Sequence, residues 1–289
     1  MPDGHKHTWD PKTTFTGTAW YYSRYRPQYP AEAFDVLREK SHLNKSSRVL
    51  DIGCGPGNLA LHLAAIAGQV YAVDPNAEML AEARRLAKER GIGNIEFILA
   101  ESNDLPELSE HIGLVDLTVM GRSFHWMDGR RTLHDLYGMT APGGGVALLA
   151  DSNMATSPEG AAILSGSAAM VSQPPAWQRA IWETTRRWLG EKRKAGRDGS
   201  YSHPEKHHQE VVAGSEFYGT EVVHLTYQRT WTIDEVIGYL YSTSSHSIPV
   251  LGGKKEAFEA ELRERLTASE PSGIFTEAVA VQIIMAWKR

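Results

Sequence analysis

The sequence predicts an α/β protein built on a doubly wound, mostly parallel seven-stranded sheet, with helices on both faces and a helical lid inserted into it. Between residues 47 and 151, short apolar runs alternate with segments of helical periodicity, which is typical of strands joined by crossover helices. The first of these runs ends in a glycine-rich turn. Residues 278–288 return to a strand pattern at the far end of the chain.

The predicted strands are short apolar runs bounded by turn residues. They cover residues 47–53, 69–74, 94–100, 115–120, 143–151, 221–232 and 278–288. The predicted helices have apolar residues at intervals of three and four. They cover residues 31–40, 58–67, 77–90, 176–196, 232–244 and 254–268, and the segment 130–144 supplies a further helix and the residues that end it. Because the regular alternation stops near Asp151, we expect the core of the fold before that residue.

The bulk composition argues against several classes of protein. The 289 residues carry 30 basic and 35 acidic side chains, so the concentrated positive charge typical of nucleic-acid binding is missing. Cys54 is the one cysteine, which excludes a disulfide within the chain. The first residues do not resemble a signal peptide, and no apolar stretch reaches the roughly 20 residues that span a bilayer. We therefore expect a cytoplasmic protein with neither a nucleic-acid nor a membrane partner.

A glycine-rich turn follows the first strand, in the segment 49–58, VLDIGCGPGN. Its three glycines have no side chains where the chain turns, so the backbone can approach a ligand at Gly53, Gly55 and Gly57. The dinucleotide fingerprint needs a glycine at the position that Asn58 occupies. Asp51, at the end of the strand, suits an ammonium group better than a pyrophosphate. The turn therefore favours a cofactor with a cationic amino group over a dinucleotide.

Polar residues also follow the next two strands. Asp74 ends the second strand, where its carboxylate can accept hydrogen bonds from a ribose diol. This residue alone does not separate NAD from S-adenosylmethionine, since both cofactors carry that diol. After the third strand, polar side chains that can bind an adenine edge are Glu101, Ser102 and Asn103. Each feature taken singly is equally a turn or a cap, but their order after three successive strands favours a cofactor site.

Residues 48–151 resemble the class I S-adenosylmethionine-dependent methyltransferases, which have a Rossmann-like fold. The resemblance implies S-adenosylmethionine as the methyl donor and S-adenosylhomocysteine as its product. The residues that it assigns to the cofactor are Asp51, Gly53, Gly55 and Gly57 for the methionine moiety, Asp74 for the ribose, and Ser102 or Asn103 for the adenine. Cys54 matches a residue frequent in this turn, and we interpret it as a small packing residue rather than a nucleophile.

A narrower resemblance lies in residues 124–128, Phe-His-Trp-Met-Asp. This segment is similar to the Phe-His-Trp-x-Asp motif of trans-aconitate methyltransferase-like enzymes, a small-molecule branch. Residues 21–30, YYSRYRPQYP, are also similar to that branch, in which a tyrosine and an arginine close over the cofactor. The resemblance implies that Tyr25 and Arg26 contact the cofactor, with Arg26 paired to the methionine carboxylate.

Aromatic residues are the candidates for the methyl-acceptor site. Phe124, His125 and Trp126 follow the fourth strand, at the edge where ligands bind to open α/β sheets. His125 is the candidate general base, because histidine exchanges its proton near neutral pH; the alternative is a structural histidine bonded within the turn or to the cofactor. Trp177 and Tyr241 either cover the acceptor or pack the surrounding helices.

Four segments follow from this assignment. We expect a helical cap over residues 1–40, a cofactor-binding core over 41–151, a helical substrate lid over 152–220, and strands and helices over 221–289 that complete the sheet and the pocket. The lid is expected to choose the substrate, because inserted helices with aromatic residues cover a bound molecule and exclude water.

A histidine-rich stretch at His203, His207 and His208 is interpreted as a solvated loop, since no matched carboxylate spacing accompanies it, and no metal is predicted.

The sequence as a whole predicts an enzyme that methylates N or O of a small polar metabolite or natural product. Two alternatives stay open. One is a protein that binds S-adenosylmethionine or its product without methyl transfer, and the other is a nicotinamide-dependent oxidoreductase, which Asn58 disfavours.

Overall fold

The computed structural model describes residues 10–151, 174–200 and 207–289, and the chain divides into two compact units. The sheet unit comprises Pro27–Asp151, His203–Tyr227 and Val279–Arg289. The helical unit comprises Met1–Arg26, Ser152–Ser202 and Gln228–Ala278. The range that the sequence assigns to a lid contributes to both units.

The chain forms a seven-stranded sheet, and each predicted strand is present in it. The strands are β1 (Arg48–Ile52), β2 (Gln69–Asp74), β3 (Ile95–Leu99), β4 (Val115–Gly121), β5 (Thr140–Asp151), β8 (Tyr218–Thr232) and β9 (Ile274–Trp287), with a separate small hairpin of β6 (Lys194–Ala195) and β7 (Gly199–Ser200). In the order β3-β2-β1-β4-β5-β9-β8, the first five strands pair in parallel, and β9 runs antiparallel to β5. The predicted fold class is confirmed.

The strand order reverses between β1 and β4, which are neighbours in the sheet although not in the sequence. From β1 the sheet continues to β2 on one side, and from β4 it continues to β5 on the other. Connections that leave such a switch point in opposite directions open a crevice at the carboxyl ends of the strands. The glycine-rich turn after β1 and the turn after β4 both lie at this edge.

The helices cover the faces of the sheet and form the bulk of the helical unit. They are α1 (Ala19–Tyr25), α2 (Ala31–Lys40), α3 (Ala60–Leu63), α4 (Ala77–Glu89), α5 (Leu105–Ile112), α6 (Gly129–Met139), α7 (Ala176–Leu189), α8 (His208–Ala213), α9 (Ile233–Tyr241), α10 (Ile248–Leu251) and α11 (Lys255–Ser269). In the part of the chain that the structure describes, no helix is long and apolar enough to cross a membrane.

Two helices are shorter than the sequence pattern predicts. The helix predicted over residues 176–196 ends at Leu189, because Gly190 takes a left-handed conformation with φ +84°. The helix predicted over residues 58–67 is regular only in α3, and hydrogen-bonded turns flank it on both sides. In the second case apolar residues continue past the end of the regular helix, as far as Ala67.

The residues of each parallel strand alternate between two apolar layers, one on each face of the sheet. Val49 of β1 packs in one layer with residues of α2, α3 and α4. Its neighbour Leu50 packs in the other layer with residues of α5, α6 and α8. Both side chains are fully buried, so β1 is covered on both faces and its carboxyl end is held rigidly.

Thr118, in the middle of β4, carries a fully buried hydroxyl that has no hydrogen-bond partner among the described residues. Since such a hydroxyl is desolvated without compensation, we expect Thr118→Val to raise the free energy of unfolding by about 1 kcal/mol. Thr140→Val is the matched control: Thr140 is also fully buried, but its Oγ1 donates to the Leu136 carbonyl at 2.7 Å. Chemical denaturation should show a higher free energy of unfolding for Thr118→Val and a lower one for Thr140→Val. A lower value for both variants would contradict the assignment of an unsatisfied hydroxyl to Thr118.

The helical unit has an apolar core of its own, which contains Trp231 and Phe258. His246 is buried in this unit, with Nε2 2.8 Å from Thr185 Oγ1 and Nδ1 2.9 Å from Ser245 Oγ. Burial lowers the pKa of His246 to about 3, so its imidazole is neutral at physiological pH. This imidazole joins α7 to the residues that follow α9.

Candidate cofactor and acceptor site

The three glycines of the turn after β1 all have a positive φ, but they serve different purposes. A Cβ at Gly53 would lie 2.4 Å from the Ser123 Cβ, and a Cβ at Gly57 would lie 3.0 Å from the Leu61 Cγ. These two glycines therefore allow close packing within the protein. A Cβ at Gly55, where φ is +55°, would meet nothing within 4 Å. Gly55 faces open space, as a backbone that receives a ligand must.

Asp51, in β1, lies one residue before the end of the strand and is 1% exposed. Its Oδ2 accepts a hydrogen bond from the Ala60 amide at 3.0 Å, so the carboxyl group also fixes the start of α3. Burial raises the pKa of Asp51 to about 8, because this one amide bond only partly replaces the lost hydration. A buried carboxyl group of this kind ionises readily once a cation is placed beside it.

Asp74 ends β2 and is tied to the glycine-rich turn. Its Oδ2 accepts from the Gly55 amide at 2.8 Å, and its Oδ1 accepts from the Asn76 amide at 2.9 Å. Burial raises the pKa of Asp74 to about 6, although the two amide bonds act in the opposite direction. The sequence predicts a ribose contact for this residue; in the structure the same carboxylate also orients the backbone of Gly55.

Cys54 lies between two of the turn glycines with its thiol buried. Burial, and the nearby carboxylates of Asp74 and Asp51, hold the pKa of this thiol well above its usual range. A thiol that does not ionise is a poor nucleophile. Its environment therefore suits a packing role.

The segment after β3 forms a short 3-10 turn, Ser102–Asp104, which leads into α5. The Glu101 amide donates to Asp104 Oδ2 at 2.8 Å, which caps the turn. Glu101 and Ser102 are half-buried, and Asn103 is exposed. These three candidates for the adenine contact thus follow β3 at the carboxyl edge of the sheet, next in the sheet to the strand that ends at Asp74.

The turn after β4 begins with Arg122, which the sequence analysis did not single out. Arg122 has φ +56°, a strained conformation for a residue other than glycine. Its guanidinium forms a buried ion pair with Asp151 at the end of β5, donates to the Pro27 carbonyl at 2.7 Å and lies 4.7 Å from the Tyr29 ring centroid. The signal in the sequence was a charged residue of opposite sign at the carboxyl end of each of two buried strands.

Ser123 joins the same turn to the glycine-rich turn, since its Oγ donates to the Ile52 carbonyl at 2.7 Å. Phe124 is buried, and its ring lies where a Cβ at Gly129 would approach it to 2.7 Å. The absence of a side chain at Gly129 therefore lets α6 begin directly against Phe124. His125 and Trp126 are half-buried, with ring centroids 4.9 Å apart.

His208 does not belong to a solvated loop, in contrast to the expectation for the histidine-rich stretch. It begins α8, is half-buried, and its ring meets the Phe124 ring edge-on with centroids 5.2 Å apart. His207 is exposed, as expected, and His203 lies outside the described residues. Apolar residues of α8 pack on the sheet unit and carry His208 with them. Across the described ranges, no group of three or more histidine, cysteine or acidic residues is arranged to hold a metal ion.

The remaining candidates lie in the helical unit. Arg26 donates to the Ser242 carbonyl at 3.3 Å, and its guanidinium carbon lies 4.9 Å from the Tyr239 ring centroid. Tyr25 packs so closely on α9 that a Cβ at Gly238 would lie 2.4 Å from its ring. Trp177 is buried against Phe275, with ring centroids 5.2 Å apart. Tyr241 is also buried and donates to Glu259 Oε2 at 2.7 Å.

Comparison with known proteins identifies the domain that contains the turns after β1, β2, β3 and β4. Residues 49–144 match a sequence-family model described as a methyltransferase domain. An uncharacterized methyltransferase of Mycobacterium tuberculosis is 31% identical over 140 residues, which are 48% of this chain and 53% of that protein. A malonyl-[acyl-carrier protein] O-methyltransferase of Enterobacter lignolyticus is 33% identical over 122 residues, 41% of this chain and 45% of that protein. The chain spans about half the length of the curated relatives it matches.

A solved structure of a candidate type II methyltransferase from Anaeromyxobacter dehalogenans superposes with a TM-score of 0.55 and 20% identity, covering 91% of this chain and 97% of that one. This likeness shows the fold, a Rossmann-like methyltransferase architecture. The family match and these relatives show that residues 49–144 contain a methyltransferase domain.

Proposed function

We propose that this chain, whose residues 49–144 match a methyltransferase domain, is an enzyme that transfers a methyl group from S-adenosylmethionine to N or O of a small polar metabolite or natural product. The observation that carries the proposal is the open space in front of Gly55, beside which lie the buried carboxyl groups of Asp51 and Asp74. S-adenosylmethionine suits these two groups, because its ammonium group favours the ionised carboxylate of Asp51 and its ribose hydroxyls can donate to Asp74.

The residues of the turns fit the parts of S-adenosylmethionine in order along the sheet edge. In this proposal, Asp51 pairs with the ammonium group and the turn backbone receives the methionine moiety. Asp74 accepts hydrogen bonds from the ribose, and Glu101, Ser102 and Asn103 bind the adenine.

When bound, S-adenosylmethionine supplies an electrophilic methyl group on a sulfonium sulfur. The protein has to hold the acceptor atom in line with that methyl group and keep water away. We assign the exclusion of water to Phe124 and Trp126 of the sheet unit. His125 is proposed to take the proton that a neutral acceptor loses, since its imidazole follows β4 at the edge of the sheet.

The nature of the acceptor is proposed on the charge of the protein and on the likeness to a small-molecule branch. The net charge of −5 gives no support for a nucleic-acid acceptor. A small molecule made and used in the cytoplasm is the partner we propose, with the segment 152–220 choosing among acceptors. A screen of amines, carboxylates and phenols with radiolabelled S-adenosylmethionine tests this. Transfer of label to a small molecule supports the proposal; label transferred only to RNA or protein would contradict it.

His125→Ala tests the general-base assignment once an acceptor is known. We expect turnover to fall by about 100-fold at neutral pH, the usual scale of general-base catalysis, with cofactor affinity unchanged. The pH profile of turnover should also lose the limb that reports the protonation of His125. A variant whose pH profile keeps the wild-type shape would show that His125 has a structural role.

A further inference from the structure

Two imidazoles lie together where β4 ends. His125 is in the turn that follows β4, and His208 begins α8, 83 positions later in the chain. Their rings are nearly parallel, with 12° between the planes and 6.4 Å between the centroids. Both residues belong to the sheet unit.

The position of His208 is set by its contact with Phe124 and by the packing of the helix that it begins. Its ring meets Phe124 at 88°, edge to face. Val211, one turn further along α8, lies 3.3 Å from the position that a Cβ at Gly129 would take. Val212 is fully buried in the apolar layer that contains Leu133 of α6. The second imidazole is therefore held against the turn by the same contacts that hold α8 on α6.

Few charged groups lie on the turn after β4, at the start of α6 and on α8. On the turn and the start of α6 they are Asp128, Arg130 and Arg131, and on α8 and directly before it they are Glu210 and His207. Asp128 accepts from the Arg131 amide at 3.2 Å and so caps α6. Burial lowers the pKa of His208, and the adjacent His207 lowers it further. At neutral pH, His208 is thus an unprotonated imidazole.

We propose that His208 joins His125 as the proton acceptor of the acceptor site, the two imidazoles forming one unit that takes up a single proton. The inference rests on the proposed function, because it assigns a second residue to the same reaction. As the bond between the acceptor atom and the methyl carbon forms, the electron pair of the carbon–sulfur bond stays on sulfur. The acceptor's proton passes to a ring nitrogen of the pair and from there to water. A second proton is opposed by the charge of the first.

A nuclear magnetic resonance titration of histidine-labelled protein tests this pairing without any cofactor or acceptor. We expect His125→Phe to raise the titration midpoint of His208 by about 0.5 to 2 pH units, the range that Coulomb's law gives for two unit charges at this spacing between the dielectric of water and that of a protein surface. Phenylalanine keeps the bulk of the ring, so the burial of His208 is preserved. His125→Gln serves as a second variant, should the first not fold.

His224→Phe is the matched control, because His224 is an exposed histidine of β8 in the same unit. This variant should leave the midpoint of His208 where it is. An unchanged midpoint of His208 in both His125 variants would overturn the pairing. The proposed function is tested separately by the binding of S-adenosylmethionine to the wild type. If the cofactor binds but the midpoint of His208 does not respond to His125, only the histidine pair is refuted. If the cofactor does not bind, the proposed function itself is refuted.

Once an acceptor is known, the turnover of His208→Phe gives a second test of the pair. If the two imidazoles act as one unit, turnover should fall and its pH profile should change shape, while the Kd of the cofactor stays the same. A purely structural His208 predicts the wild-type pH profile with reduced stability, and that result would also overturn the proposal.

Discussion

Gly55→Ala is expected to bind S-adenosylmethionine at least about 100-fold more weakly than the wild type, a loss of about 2.7 kcal/mol. In the proposed site the cofactor occupies the space into which the new Cβ would point, and the Gly55 amide is already fixed by Asp74. The protein itself has room for the methyl group, since nothing lies within 4 Å of it. Isothermal calorimetry measures the affinity, and thermal unfolding measures the cost to the fold.

The control for this variant is Gly91→Ala. Gly91 follows α4 with φ +66°, and a Cβ there would also meet nothing within 4 Å. Both variants place alanine in the left-handed region, which costs about 1–2 kcal/mol of stability. We expect both to be destabilised to a similar extent and Gly55→Ala alone to lose the cofactor. Equal affinities in the two variants would show that no ligand approaches Gly55.

Asp51→Asn is expected to have opposite effects on stability and on binding. The folded pKa of Asp51 is about 8, above its ordinary value of 3.8, so the folded protein keeps a proton that the unfolded chain loses. The stabilisation linked to this proton is complete below about pH 4 and is lost as the pH rises through 8. Asparagine never ionises and can still accept from the Ala60 amide. We therefore expect the unfolding free energy of the unliganded variant to exceed that of the wild type by about 1–3 kcal/mol at pH 8.

The same substitution should weaken the cofactor, because the ammonium group loses its carboxylate partner. A loss of about tenfold or more is the scale of one charged hydrogen bond. In the wild type, affinity should rise by up to about tenfold between pH 6 and pH 7, as binding displaces the proton of Asp51, and the variant should lack this rise. If Asp51→Asn is less stable than the wild type and binds the cofactor equally well, both the stability prediction and the affinity prediction are contradicted. Such a trade between stability and binding is common where a buried charge serves a ligand.

The parallel sheet and the positions of Asp51 and Asp74 near the carboxyl ends of their strands were predictable because each depends on local sequence. VLDIGCGPGN places its glycines and Asp51 within one strand and one turn, so their proximity follows from the chain itself. Asp74 could be placed because parallel strands bring their carboxyl ends to one edge. The direct bond between Asp74 and the Gly55 amide was not predictable, since it depends on the register of β1 and β2.

The contacts of the β4 turn escaped prediction for the opposite reason. Arg122 meets Asp151 and Pro27 across long sequence separations, and nothing in the local pattern pairs them. His208 was assigned to a loop because its neighbours in sequence are polar, whereas the residues that bury it, such as Phe124, are remote in the chain. Periodicity reports which face of an element is buried, but not which distant residue meets it.

We expect the edge formed by the turns after β1, β2 and β3 to bind S-adenosylmethionine, and calorimetry on the wild-type chain measures this binding. S-adenosylmethionine and S-adenosylhomocysteine should each bind one site with a Kd in the micromolar range, equivalent to about −8 kcal/mol, while NADH gives no heat of binding. Binding of NADH with no binding of either S-adenosyl compound would contradict the account and return the chain to the nicotinamide-dependent class.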